Sequence, residues 1–169
     1  MRKILSTLIA LFLISVTAYS QLQGYTIALD PGHGGTSPGA SGYAGPPDEE
    51  DLVLDCGLEL RQRLQTDGAT VGITRTTDAT VSLTARRDFF NNLNPHAAIS
   101  IHLNAYDGSA HGTETWKNYN AVLANAIQPQ LISQMGLTDR GVKTSAFTVL
   151  TCNSSIPACL TEGLFVDNP

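Results

Sequence analysis

The chain has 169 residues, of which 42% are hydrophobic and 15% charged, the size of one globular domain able to bury a core; this argues against a second independent domain. Its net charge is −5 and its pI about 5.2, and no run of lysines or arginines forms a stripe that could follow phosphates, which argues against a nucleic-acid partner.

Residues 1–20 read as a secretory signal. Arg2 and Lys3 precede an apolar run over 4–16, and Ala18-Tyr19-Ser20 supplies the small residues a signal peptidase reads, with cleavage after Ser20. The apolar run is shorter than the roughly 20 residues a membrane span needs, so no stable membrane insertion is expected after cleavage. Export to a periplasm or beyond follows, and the folded domain is expected over 21–169.

Within that domain, the β-branched and apolar run 25–29 predicts a strand that ends at Asp30-Pro31-Gly32 and delivers His33 at its C-terminal end. The Gly-, Pro- and Ser-rich stretch 34–47 reads as a loop. Asp48, Glu49, Glu50 and Asp51 then open a helix whose Leu52, Leu54, Leu58, Leu60 and Leu64 are spaced for one face. Acids at a helix N-terminus also complement the macrodipole, and at least two of the four are expected to do only that.

Further strands are predicted at 69–74, 97–101 and 111–116. Helices are predicted at 83–93, beginning near Ser82, and at 121–135, broken or kinked by Pro129. Residues 147–150 and 158–160 read as two more strands. The alternation predicts a single α/β domain with a central, mostly parallel (mixed) sheet of about six strands flanked by helices. Cys152 and Cys159 are close enough in sequence to staple a corner in an oxidising space, and Cys56 reads as a small buried hydrophobe. No C-x-x-C pair of a thiolate zinc site is present.

The chemistry concentrates on two histidines. His33 follows the first strand and His102 the strand at 97–101, and ligands of α/β sheets gather at the carboxyl ends of strands. Two histidines and a carboxylate form the ligand set of several hydrolytic zinc sites, and the acids at 48–51 stand on the same rim. A second carboxyl group is needed to accept a proton from water and pass it to a leaving amine. Glu162 in CLTEGLF, at the end of an apolar strand, has that position. Each residue taken alone is more often structural; the argument rests on their joint pattern. His96 and His111 lack the strand-end context and read as loop residues. The glycines around His33 lack the Lys-Ser/Thr of a P-loop, and no G-x-S-x-G elbow supports a serine triad.

LDPGHGGTSPGASG, EEDLVL, TRTTDATVSLTARRDFFN, SIHLNA, RGVK and PACLTEGLFVDNP occur in order over nearly all of 25–169. Together they resemble the zinc-dependent N-acetylmuramoyl-L-alanine amidases of the amidase-3 family. The resemblance implies one Zn2+ held by His33, Glu49 and His102, with Glu162 as the catalytic glutamate. It implies peptidoglycan as substrate and cleavage of the amide between N-acetylmuramic acid and L-alanine. Glu50 and Val53 replace the family's usual lysine and asparagine, so a one-residue slip to Glu50 stays open for the middle ligand. Small residues around His33 are expected to let the backbone turn sharply and leave room for substrate. Asp30 is expected either to orient His33 or to form the turn. Arg75, Arg86 and Arg140 match basic positions of the family and receive no catalytic role.

Two departures shape the expectation. The segment between Asn104 and the helix near Ala121 is too short for the inhibitory insertion of some members, implying constitutive activity. The chain ends at Asn168-Pro169, where members continue into a further helix, pointing to a fragment without that helix. Two rival functions use the same residues: a non-catalytic peptidoglycan-binding module, and a zinc peptidase acting on another wall peptide bond.

Overall fold

The computed structural model describes residues 21–169, so the signal expected at 1–20 lies outside the described residues. The elements run β1 (Thr26–Pro31), α1 (Glu49–Thr66), β2 (Thr70–Ile73), α2 (Leu83–Leu93), β3 (Ala97–Asn104), β4 (Thr113–Lys117), α3 (Val122–Met135), β5 (Asp139–Thr144), a 3-10 turn (Thr148–Thr151) and β6 (Ala158–Phe165). One six-stranded sheet has the order β2-β1-β3-β6-β4-β5. Every neighbouring pair is parallel except β4 against β6. The sheet is therefore mostly parallel and mixed, as expected. No helix among the described residues is long and apolar enough to cross a membrane.

Strand register decides which side chains share a face. Pro31, Ile101, Thr161 and Thr115 stand opposite one another across β1, β3, β6 and β4. Two helices cover that face. A Cβ on Gly57 of α1 would come 2.6 Å from the Pro31 ring, and Gln128 of α3 bonds Thr115 Oγ1 at 2.7 Å and the Thr113 carbonyl at 2.9 Å. The opposite face carries the main apolar cluster, in which Ala28, Ala98, Ala158 and Leu160 pack with Phe90 of α2 and Val149, Leu150 and Cys152 of the 3-10 segment. The next row on this second face, toward the C-terminal ends of β3 and β6 and the N-terminal end of the antiparallel β4, holds His102, Glu162 and Glu114. The sheet thus passes from apolar core to polar site within two residues of each strand.

Helix α2 begins where the sequence expects, with Ser82 Oγ accepting from Ala85 N at 3.2 Å. Several expectations need correction. Residues 147–150 form no strand: Leu150 N donates to Phe147 O in a tight turn, and 148–151 close into a 3-10 turn. The sixth strand is instead β5, whose polar sequence DRGVKT suits a sheet edge and hid it from hydrophobic patterning. Strands β3 and β6 run on through His102 and Glu162, so both residues lie within strands rather than after them. Helix α3 continues unbroken through Pro129, the neighbouring Gln128 tying it to β4 and, at 2.7 Å, to Asp139.

The cysteines also differ from expectation. Cys152 and Cys159 are both free. Cys152 packs in the cluster with Ala158 and Leu160, whereas Cys159 lies between those two on β6 and faces the other side of the sheet. Burial pushes the Cys159 thiol up to about 12. Cys56 is exposed rather than buried.

Candidate metal centre

Past β1 the backbone turns abruptly. His33 has φ 55°, a left-handed conformation uncommon for a residue with a side chain, and it aims the imidazole back across the sheet end. Gly32 lies level with His102, and any Cβ there would collide with the His102 ring. Gly39 adopts φ +74°, and a Cβ on it would come 2.6 Å from Glu49 Oε2 and 2.8 Å from His33 Cδ2. Glycine at both positions clears space for the functional side chains, which is the physical reason for the glycine-rich stretch.

Two buried arginines brace the turn. Arg86 Nη1 donates to Asp30 Oδ1 and to Pro31 O, both at 2.7 Å, and its Nη2 donates to His33 O. Arg75 donates to Pro31 O at 3.1 Å, Gly32 O at 2.7 Å and Glu50 O at 2.6 Å. Three successive carbonyls thus find donors that the departing strand cannot supply. Asp30 accepts from Thr74 Oγ1 and Ser100 Oγ, each at 2.7 Å, in addition to Arg86. It anchors the turn and leaves the orientation of His33 to Ser37, whose Oγ lies 3.1 Å from His33 Nδ1.

Glu49 opens α1 and is only 3% exposed. Its Oε2 lies 3.1 Å from His33 Nε2 and its Oε1 3.0 Å from His102 Nδ1. Burial opposes its ionisation, but hydrogen bonds from His102, His33 and the backbone N–H groups of Ala40 and Leu103 outweigh that and hold the carboxyl well below its ordinary range. The ligand-type atoms of His33, Glu49 and His102 lie within 4.8 Å of one another, close enough to hold one metal ion. Glu49 is thus the acid that meets both imidazoles. Glu50, the alternative, meets neither, and its Oε2 has no hydrogen-bond partner among the described residues.

Glu162 stands opposite His102 in the β3–β6 register. Its Oε2 is buried with no hydrogen-bond partner among the described residues. Burial, reinforced by the negative charges of Glu49 and Glu114, pushes its carboxyl up to about 8. His33, His102 and Glu162 line one cavity of about 630 Å³, walled by Val81, Leu83 and Phe147. His96 and His111 stay outside this group. His96 instead accepts from Thr26 N at 3.0 Å, and His111 O receives Arg140 Nη1.

The sequence matches the family described as N-acetylmuramoyl-L-alanine amidase over residues 27–169. The chain belongs to the amidase-3 family. Among its relatives, the N-acetylmuramoyl-L-alanine amidase LytC of Bacillus subtilis is 37% identical over 86% of this chain and 30% of its own length. The sporulation-specific N-acetylmuramoyl-L-alanine amidase of the same organism is 36% identical over 83% of this chain and 56% of its own length. The chain thus spans little more than half, or less, of these relatives. Among solved structures, an N-acetylmuramoyl-L-alanine amidase from Clostridium difficile 630 superposes with a TM-score of 0.80 at 34% identity, covering 86% of this chain and 82% of that one. The catalytic domain of CwlV from Bacillus (Paenibacillus) polymyxa superposes equally well at 28% identity, over 85% of this amidase-3 chain and 82% of its own.

One buried group escaped sequence reasoning. Glu114 faces Glu162 across the antiparallel β4–β6 pair. In TETWK it reads like any polar residue of a half-exposed strand, and only the cross-strand register reveals its place.

Proposed function

We propose that this chain is a zinc-dependent N-acetylmuramoyl-L-alanine amidase that cleaves the amide between N-acetylmuramic acid and the L-alanine of the peptidoglycan stem peptide. The observation that carries the reading is the cluster of His33, Glu49 and His102, whose two imidazoles share one cavity with Glu162, a buried acid with an oxygen unpartnered among the described residues. Two imidazoles and one carboxylate suit zinc, and the cavity beside them leaves room for water and substrate. In this reading one Zn2+ is held by His33, Glu49 and His102.

Zinc in such a site polarises a carbonyl and lowers the pKa of the water it binds toward about 7. Glu162 accepts the proton of the attacking water and returns it to the departing alanine nitrogen, so that the amine leaves neutral. Its buried position beside His102, with Oε2 free of any hydrogen-bond partner among the described residues, leaves an oxygen available for that proton. Ser37 holds the His33 ring, and Glu49 accepts from Leu103 N beside His102 while facing both rings, so the ligand geometry is preorganised by the fold. Such an enzyme meets its substrate outside the cytoplasm, in the periplasm or cell wall, after removal of residues 1–20.

The test is mass spectrometry of the soluble products released from purified peptidoglycan by the zinc-loaded chain, with Glu162→Ala beside it. Intact stem peptides with an alanine amino terminus are expected from the parent alone. Cleavage within the peptide would replace the amidase reading by a zinc peptidase, and binding without release by a non-catalytic wall-binding module.

A further inference from the structure

Across the sheet from His102 and Glu162, the same row continues to Glu114 on β4, whose carboxylate is met by the side chains of Arg140 and Lys143 of β5. Glu114 is 2% exposed and accepts from four donors. Asn104 Nδ2 lies at 3.0 Å and Trp116 Nε1 at 3.1 Å on one oxygen, with Arg140 Nε at 2.7 Å and Lys143 Nζ on the other. One carboxylate neutralises one cation. The second leaves a surplus positive charge in a chain whose net charge is −5.

That surplus is held in place and reaches the surface. The Arg140 and Lys143 side chains are 36% and 34% exposed while their Glu114 partner is 3% exposed. The guanidinium lies 4.8 Å from the Phe165 ring and the ammonium 5.2 Å from the Trp116 ring. Arg140 spends Nε on Glu114 and Nη1 on a 3.4 Å contact with His111 O; its Nη2 has no partner among the described residues. Arg140, Phe165 and Asn104 also line a second cavity, of about 370 Å³, that begins two residues beyond His102. Two like charges fixed side by side repel each other, and an anion between them relieves that repulsion.

We propose that Arg140 and Lys143, mounted on Glu114, form a subsite for a carboxylate of the stem peptide, at the residue following the alanine. The inference rests on the amidase reading for the identity of the peptide. Neighbouring strands lie about 4.8 Å apart, so β5 is roughly 10 Å from Glu162 and the cations lean back toward it. An extended peptide advances about 3.3–3.6 Å per residue, which puts a carboxylate two residues from the scissile amide at about 7 Å. The subsite therefore reads the second residue of the stem, and distinguishes a free carboxylate from its neutral amide.

The experiment compares hydrolysis of N-acetylmuramoyl-L-alanyl-D-isoglutamyl-L-lysine with that of the D-isoglutaminyl counterpart; the γ-carboxyl is joined to lysine in both, so they differ only in amidation of the α-carboxyl. The parent is expected to favour the acid by about tenfold or more in kcat/KM, the size of one charge-assisted contact. Lys143→Gln leaves Arg140 on Glu114 and should bring the two substrates level, while Lys143→Arg restores the gap. Equal rates in the parent overturn the subsite and leave the amidase reading standing. Cleavage of neither compound overturns the amidase reading instead. The subsite is then decided by NMR titration of the zinc-free protein with L-alanyl-D-isoglutamyl-L-lysine and its D-isoglutaminyl counterpart. Saturable binding of the acid alone, abolished in Lys143→Gln, sustains it, and equal binding or none overturns it.

Discussion

Glu162 and Glu114 are the same residue type, face each other across β6 and β4, and differ in almost everything that matters chemically. Glu114 has four donors, two of them cationic; burial opposes its ionisation, but Lys143 and Arg140 hold its carboxyl below the ordinary range. Glu162 has a buried oxygen with no partner among the described residues, and its carboxyl is pushed up. The fold therefore provides one carboxylate already satisfied and one kept hungry for a proton a single strand away. Neighbouring acids whose environments drive their proton affinities apart mark where structure ends and chemistry begins.

Exchanging the demands on these two residues gives the largest expected effects. Glu162→Gln should lower release of stem peptides from peptidoglycan by about 10²–10⁴-fold, the worth of a general base, with the thermal midpoint unchanged or raised. An equal loss of activity and of folded protein would remove the distinction between the two acids. Glu114→Ala should act first on stability, because it leaves Arg140 and Lys143 facing each other. Breaking a fully buried pair costs about 3–5 kcal/mol; since both cations reach solvent, about 2 kcal/mol is expected in urea denaturation. Gly39→Ala tests the metal side of the row: its positive φ alone costs about 1 kcal/mol, and a new methyl beside Glu49 and His33 should weaken zinc retention in competition with a chelator.

How far the sequence reveals this row follows from the range of the interactions. Helix α2 was readable to the residue because Ser82 caps it locally, and the loop, strand and acid cluster that carry His33, His102 and Glu49 have local signatures too. Non-local features were not readable. The edge strand β5 has too few apolar residues to announce itself, and Val149 and Leu150 form a 3-10 turn because both bury against α2 and β6. Of the two roles open to Asp30 in the sequence, orienting His33 or forming the turn, only its partners Thr74, Arg86 and Ser100, each 44 or more residues away, decide for the turn. The cations on Glu114 and the acid that faces it come from strands 26 to 48 residues distant, and no pattern in TETWK contains that information.

The smallest effect separates the two acids by the sign of their pH dependence in metal-free protein. Glu162 has a folded pKa raised from 4.5 to about 8, so its contribution to stability is complete below the ordinary value and is lost as pH rises through about 8. Glu114 has a lowered folded pKa. Its contribution is present above the ordinary carboxylate value and disappears as pH falls through the folded one. Urea denaturation of chelator-treated protein should therefore weaken toward pH 8.5 in the parent, and this slope should flatten in Glu162→Gln, whose side chain does not titrate. Glu114→Gln should reduce the acid loss and leave most of the alkaline slope in place, softened because one of the charges that raise Glu162 is gone. If both variants flatten the same limb, the two carboxylates titrate as one coupled unit, and the assignment of one to structure and the other to proton transfer fails.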